Sequence, residues 1–221
     1  MLWSPHTQLH YPFQNTATDY SGNARNGTVN GSGVYATKPN GGRCLYFDGV
    51  GDYVETPSFG MSGTVVVFAA DVRCKIHATE LQSLLGDEAF PSTLPWIWIR
   101  RPPGTYDCVY RYYNGAATSS DYFAAPYEDV WVHCCVVADY GDHKVYFYRG
   151  GILFSSTTMT ADTFPSTNSV KYCGLGYSGP VFPLSDGYLA NVQLWSLATM
   201  PPAAQMLANA NRIMLGMNPI W

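Results

Sequence analysis

Short apolar, β-branched runs bounded by turn-forming residues recur along the whole chain, and this pattern constrains the fold more than any other feature. They cover 44–47, 64–70, 81–85, 96–99, 108–113, 131–138, 145–148, 151–155, 170–176 and 188–195. The 21 glycines and 15 prolines lie between and around them, which interrupts long helices and favours many short strands joined by turns. Asp139-Tyr140-Gly141-Asp142 and Arg149-Gly150-Gly151 are spaced as tight hairpin turns, so 131–156 is expected to form a three-stranded antiparallel meander. No repeat or composition break divides the chain. The expected fold is therefore all-β, a two-sheet antiparallel jelly-roll sandwich over residues 1–200.

Residues 201–221 read differently. Met206, Leu207, Ala210, Ile213 and Met214 recur at the spacing of one helical stripe, Pro201 and Pro202 mark its start, and Gly216 closes it. A short C-terminal helix and an apolar tail follow from this. A chain end carrying Met217, Ile220 and Trp221 frays unless it docks. Met214, Met217, Ile220 and Trp221 are accordingly expected to dock on another subunit of the same assembly, a homo-oligomer or a larger particle.

Charged residues make up 13% and aromatic residues 15% of the chain, which excludes disorder. A net charge of -4, with no basic cluster longer than Arg100-Arg101, leaves no electrostatic footprint for nucleic acid. The opening Met1-Leu2-Trp3-Ser4-Pro5-His6 lacks the basic and apolar regions of a secretion signal, and the run 65–70 is too short to span a bilayer. A cytosolic product without a membrane partner is expected. Six cysteines without a C-x-x-C pair suit free, mostly buried thiols, and adjacent Cys134 and Cys135 should point to opposite faces of a strand.

Four stretches carry a family resemblance. Asp19-Tyr20-Ser21-Gly22-Asn23 with Asn26-Gly27-Thr28, and Leu45-Tyr46-Phe47-Asp48-Gly49-Val50-Gly51-Asp52-Tyr53-Val54, resemble the opening of concanavalin A-like domains of the laminin G-like jelly-roll family. Trp131-Val132-His133 followed by Val145-Tyr146-Phe147-Tyr148-Arg149-Gly150 is similar to its central hairpin, and Gly187-Tyr188-Leu189-Ala190-Asn191-Val192-Gln193-Leu194-Trp195 to its closing strand. The resemblance implies a lectin-like fold of the kind found in virion proteins of tailed phages. It also implies that calcium can be a cofactor, with Asp19, Asp48 and Asp52 as eligible oxygen donors. The competing reading places these carboxylates on backbone N–H groups of turns. Two departures stand out: Arg149 replaces the usual Asn or Asp before Gly150, and Ala190 stands where an acidic residue is often found near the closing strand.

Glycoside hydrolysis needs two carboxylates on one strand, about 5 to 5.5 Å apart in retaining enzymes. None of Glu55, Glu80, Glu88 and Glu128 stands in the family's alternation, and Asp87-Glu88 are adjacent and face opposite ways if extended. His133 lies in an apolar strand and reads as core. Sugar binding needs flat aromatic faces beside hydrogen-bonding groups, and Trp96, Trp98, Tyr110, Tyr112 and Asn114 crowd one region; the competing reading has these rings close a tyrosine-rich sandwich or an inter-subunit contact. The leading expectation is a non-enzymatic structural or accessory component of a virion, assembled in the host cytoplasm: a head decoration, fibre or tail protein. The alternative is a carbohydrate-binding lectin-like module with glycan partners, and a glycoside hydrolase is a distant third.

Overall fold

The alternation of strand and turn residues is realised as two antiparallel sheets. The computed structural model describes residues 6–75, 82–87, 96–100, 107–113, 118–124, 129–159, 169–174, 184, 186–202 and 205; for 87, 96–100, 107–113 and 118–124 it describes the backbone alone. Among the described residues the strands are β1 (Thr7–Tyr11), β2 (Thr28–Asn30), β3 (Tyr35–Thr37), β4 (Arg43–Phe47), β5 (Tyr53–Glu55), β6 (Val65–Cys74), β7 (Gln82–Asp87) and β8 (Trp96–Arg100). They continue with β9 (Asp107–Tyr113), β10 (Thr118–Ala124), β11 (Val132–Asp139), β12 (Lys144–Arg149), β13 (Ile152–Thr158), β14 (Lys171–Cys173) and β15 (Gly187–Leu197). One sheet runs β13-β12-β11-β6-β15-β4-β3, with β1 also paired to β15, and the other runs β10-β9-β8-β7-β14-β5-β2. This is the two-sheet jelly-roll sandwich expected from the pattern, and the meander β11-β12-β13 forms as its turns predict.

The period of two decides what each strand buries. On β6, Val66, Phe68, Ala70, Val72 and Cys74 join the core between the sheets, where they meet Leu9, Tyr11, Val136, Phe147 and Leu194 from their own sheet and Val54, Leu84, Leu85 and Cys173 from the other. The alternate residues Val65, Val67 and Ala69 fall on the outer face. There they form a second buried cluster with Cys135, Val137, Tyr148, Trp195 and Leu197, against which Tyr146 and Met200 pack. A strand buried on both faces reads as a continuous apolar run, and Val65-Val66-Val67-Phe68-Ala69-Ala70 is such a run. Cys134 and Cys135 divide between the two clusters. The five described cysteines, 44, 74, 134, 135 and 173, are buried and form no disulfide with one another, and burial pushes the thiols of Cys135 and Cys173 up to about 12, so neither is a thiolate at neutral pH.

A bulge between Ala190 and Gln193 breaks the regular pairing of β15 with β6. Asn191 takes a left-handed φ of 50° there, and its Oδ1 lies 2.9 Å from His10 Nε2 and accepts from Gln193 Nε2 at 2.6 Å. The extra residue keeps Val192 and Leu194 in the core while Tyr188 and Ala190 stay on the outer face. The two ends of that outer face consequently differ in character: Trp195 and Leu197 lie at the apolar end, and Tyr188 and Ala190 at the polar one.

Candidate functional site

The polar end of the outer face is built on one row of paired residues. Ala190 of β15 stands opposite Asp71 of β6, and Asp71 stands opposite His133 of β11. His133 Nδ1 lies 2.8 Å from Asp71 Oδ1, and Lys38 Nζ, from the turn after β3, donates to Asp71 Oδ2 at 2.6 Å. The three side chains are 4%, 14% and 13% exposed for His133, Asp71 and Lys38. Burial by itself would raise the pKa of Asp71, but hydrogen bonds and charge from His133 and then Lys38 outweigh it and hold the carboxyl below its ordinary value. An ionised carboxylate only accepts, so His133 donates from Nδ1 and turns Nε2 away, where it is buried without a hydrogen-bond partner.

Aromatic rings flank this charged row. Trp131, two residues before His133 and therefore on the same face, has Lys38 Nζ 4.9 Å from its ring centroid and buries its indole Nε1 without a partner. Its ring is 6.1 Å from that of Tyr188, which in turn is 4.9 Å from Tyr46. Charges surround the three rings: Arg73 lies 5.5 Å from the Tyr188 ring and pairs with Asp129 at 2.9 Å, and Asp186 accepts from Tyr46 Oη at 3.3 Å and from Lys75 at 2.6 Å. Beside them a pocket of about 670 Å³ is lined by Lys38, Pro39, Asn40, Asp71, Trp131, His133 and the β12–β13 turn. Arg149, the last residue of β12, leads into that turn and also lines the pocket, and its guanidinium stacks on Phe154 at 4.0 Å.

His133, expected in the core, is thus buried on the outer face instead. The spacing Trp131-x-His133 placed both residues on one face, and Asp71 is the first charge to interrupt the apolar run of β6; together these were the available signals. Lys38 carried none, because it reaches Asp71 from a turn 33 residues earlier in the chain.

The residues singled out from sequence are distributed differently. Asp19 accepts four bonds, from His10 N and Ser21 N at 3.0 and 2.9 Å on Oδ1 and from Ser21 Oγ and Arg25 N at 2.8 and 3.0 Å on Oδ2. Asp52 accepts from Ser32 N, Ser32 Oγ and Asp48 N, and Asp48 accepts from Val50 N. Asp48 and Asp52 share one turn region, whereas Asp19 ties its loop to β1. All three carboxylates carry turn hydrogen bonds, and among the described residues no group of three or more His, Cys, Asp or Glu could hold a metal ion. Asp19→Ala is expected to cost about 3 kcal/mol by leaving buried N–H groups unpaired, and calcium added after chelation should leave the melting temperature unchanged. Thermal denaturation followed by circular dichroism checks both.

The aromatic set divides between two faces. Register pairs Trp96 with Arg111, Trp98 with Val109 and Ile97 with Tyr110, so Trp96 and Trp98 occupy face positions opposite to those of Tyr110 and Tyr112. Leu85 and Cys173, both in the core, lie in one row with Ile97 and Tyr110. Asn114 lies outside the described residues, as do Met206, Leu207, Ala210, Ile213, Met214, Gly216, Met217, Ile220 and Trp221.

No family model and no curated protein matches the chain. Its fold is similar to that of domain 4 of AbnA, a GH43 extracellular arabinanase from Geobacillus stearothermophilus, in complex with arabinotriose. The TM-score is 0.70 at 18% identity over 94% of this chain and 98% of that one. It is also similar to the botulinum neurotoxin serotype D binding domain, with a TM-score of 0.70 at 10% identity over 96% of this chain and 52% of that one. A third likeness is to botulinum neurotoxin type C, whose cell entry is dependent upon interaction with two ganglioside molecules: TM-score 0.65, 12% identity, 94% of this chain and 51% of that one. The chain spans about half the length of the two toxin chains. These likenesses establish the β-sandwich fold.

Proposed function

We propose that the chain is a carbohydrate-binding, lectin-like module that holds a glycan at the Asp71–His133–Lys38 pocket and does not hydrolyse it. The observation that carries this reading is a buried ion-paired row on the outer face of a sheet, where the sandwich core needs none, beside three aromatic rings and an open pocket. Sugar hydroxyls both donate and accept. Asp71 can accept from them and Lys38 can donate, and hydrogen bonds to charged groups are worth about 1.5–3 kcal/mol each. Aromatic faces suit the C–H faces of pyranose or furanose rings. The arabinotriose complex of one structural neighbour and the ganglioside dependence of another support the same class of ligand.

The carboxylates support the reading without hydrolysis. Among the described residues Asp71 is the one acid that lines the pocket, whereas glycosidases work with a pair. A depressed pKa also disqualifies Asp71 as a general acid at neutral pH. A place on a phage particle rests on the sequence resemblance alone, and the glycan reading has the better support.

A glycan array that includes arabino-oligosaccharides and gangliosides tests the proposal. Wild-type protein should bind a defined subset, and Trp131→Ala should weaken that binding about tenfold, equivalent to ~1.4 kcal/mol of lost ring contact. Binding that is absent from the wild type, or equal in Trp131→Ala, overturns it.

A further inference from the structure

Next to the pocket, the rim of the outer face of the eight-stranded sheet repeats one arrangement three times. Tyr188 of β15 pairs with Tyr46 of β4 on one side and with Arg73 of β6 on the other. Val132 of β11 pairs with Val72, so Trp131, one residue earlier, continues the same row beyond Arg73. The row runs across neighbouring strands from β4 over β15 and β6 to the start of β11. Adjacent strands lie about 4.8 Å apart, so its length is roughly 14 Å. Each ring in it has an ion pair of its own. Trp131 faces Lys38, which is bonded to Asp71. Tyr188 faces Arg73, which is bonded to Asp129, and Tyr46 donates its hydroxyl to Asp186, which is bonded to Lys75.

The three units differ in depth. Lys38 and Asp71 are largely enclosed, whereas Arg73 and Asp129 are 34% and 45% exposed and Lys75 and Asp186 53% and 35%. The row therefore opens from the pocket at Trp131 to a shallow surface at Tyr46. All three rings are half-buried, which leaves part of each in contact with solvent. Exposed ion pairs of this kind add little to stability, and the sandwich core lies on the other side of the sheet.

We infer that the row is a set of three sugar subsites, and that the ligand is a linear oligosaccharide laid across the strands, with its first sugar in the pocket at Trp131 and the next two against Tyr188 and Tyr46. The inference rests on the glycan reading of that pocket and adds the length and direction of the ligand. A sugar presents a C–H face to an aromatic ring and hydroxyls at its edge. One ring beside one pair of opposite charges thus provides for one sugar, because the carboxylate accepts from one hydroxyl and the cation donates to another. A single sugar covers one unit and leaves two unused. The enclosed unit anchors the chain, and each shallow one adds a further increment.

Isothermal titration with linear arabino-, gluco-, galacto- and manno-oligosaccharides of one to five sugars tests this. In the series that binds, affinity should rise about fivefold at each step from one sugar to three, the size of one added aromatic contact, and level off beyond three. Tyr46→Ala should flatten the step from two sugars to three, and Trp131→Ala should weaken binding at every length. Lys75→Ala, at an exposed side chain, should reduce the third step about twofold and gives a reading that does not depend on how Tyr46→Ala folds. Equal affinity for one and three sugars, or an undiminished third step in both variants, overturns the inference and leaves glycan binding at the pocket standing. Binding confined to single sugars or branched glycans on the array, with none in these series, does the same. No binding to any glycan overturns the pocket reading as well.

Discussion

Asp71→Ala is expected to lower the stability of the protein by about 3–5 kcal/mol, because it strips the shared carboxylate from two buried partners. Lys38 loses its counter-ion at a side-chain exposure of 13%, and His133 loses the acceptor for its Nδ1–H on a side chain that is 4% exposed. For a chain of this size the melting temperature should fall by roughly 10 °C. Asp71→Asn keeps the shape and an acceptor oxygen but removes the charge, so it should lie between the wild type and Asp71→Ala. The comparison also fixes a pH dependence. The folded-state pKa of Asp71 is held below the ordinary 3.8, so its pairing contributes stability that is full above that value and disappears as pH falls through the lower folded-state value. The gap in melting temperature between wild type and Asp71→Asn should be constant near neutrality and close below about pH 4. A gap that persists unchanged into strong acid would show that the charge of Asp71 does not stabilise the fold.

Trp195→Ala should be comparably severe and should leave ligand chemistry alone. Trp195 is fully buried on the outer face, among Val65, Val67, Val137, Tyr148 and Leu197. Truncating a large buried aromatic removes its transfer free energy and leaves a cavity, about 3–5 kcal/mol in sum. Tyr188 lies on the same strand and the same face but at the polar end, half-exposed beside Trp131 and Tyr46. Tyr188→Ala is expected to cost less than about 1.5 kcal/mol of stability and to weaken glycan binding instead. The pair of variants separates the structural end of the face from the binding end, with denaturant titration reading the first and an affinity measurement the second.

The division between these two ends explains what could be foreseen from the amino-acid order. β6, β11, β12 and β15 were legible because long runs of β-branched and aromatic residues have few alternatives to a buried strand. The three-residue strands β2 and β3 and the polar Thr118–Ala124 strand were not foreseen. Strands that short take their conformation from neighbours and not from their own propensity. The same limit governs the site. Alternation within one strand shows that Trp131 and His133 share a face, but the pairing of β11 with β6 and of β6 with β15 brings Asp71 between His133 and Ala190. No local signal reports a contact between strands 62 residues apart. Register likewise divides Trp96 and Trp98 from Tyr110 and Tyr112, which sequence proximity had grouped. Asp19 and Asp52 illustrate the converse: short carboxylates among Gly, Ser and Asn form turns locally, and their hydrogen bonds follow the turn reading of the sequence.

The most direct measurement is a crystal structure of the chain with a glycan chosen from the array. The account predicts the sugar in the pocket on the outer face of the eight-stranded sheet, with a ring against Trp131 or Tyr188 and hydroxyls within hydrogen-bond distance of Asp71 and Lys38. Sugar bound on the seven-stranded sheet around Trp96 and Trp98, with the Asp71 pocket holding solvent, would contradict it.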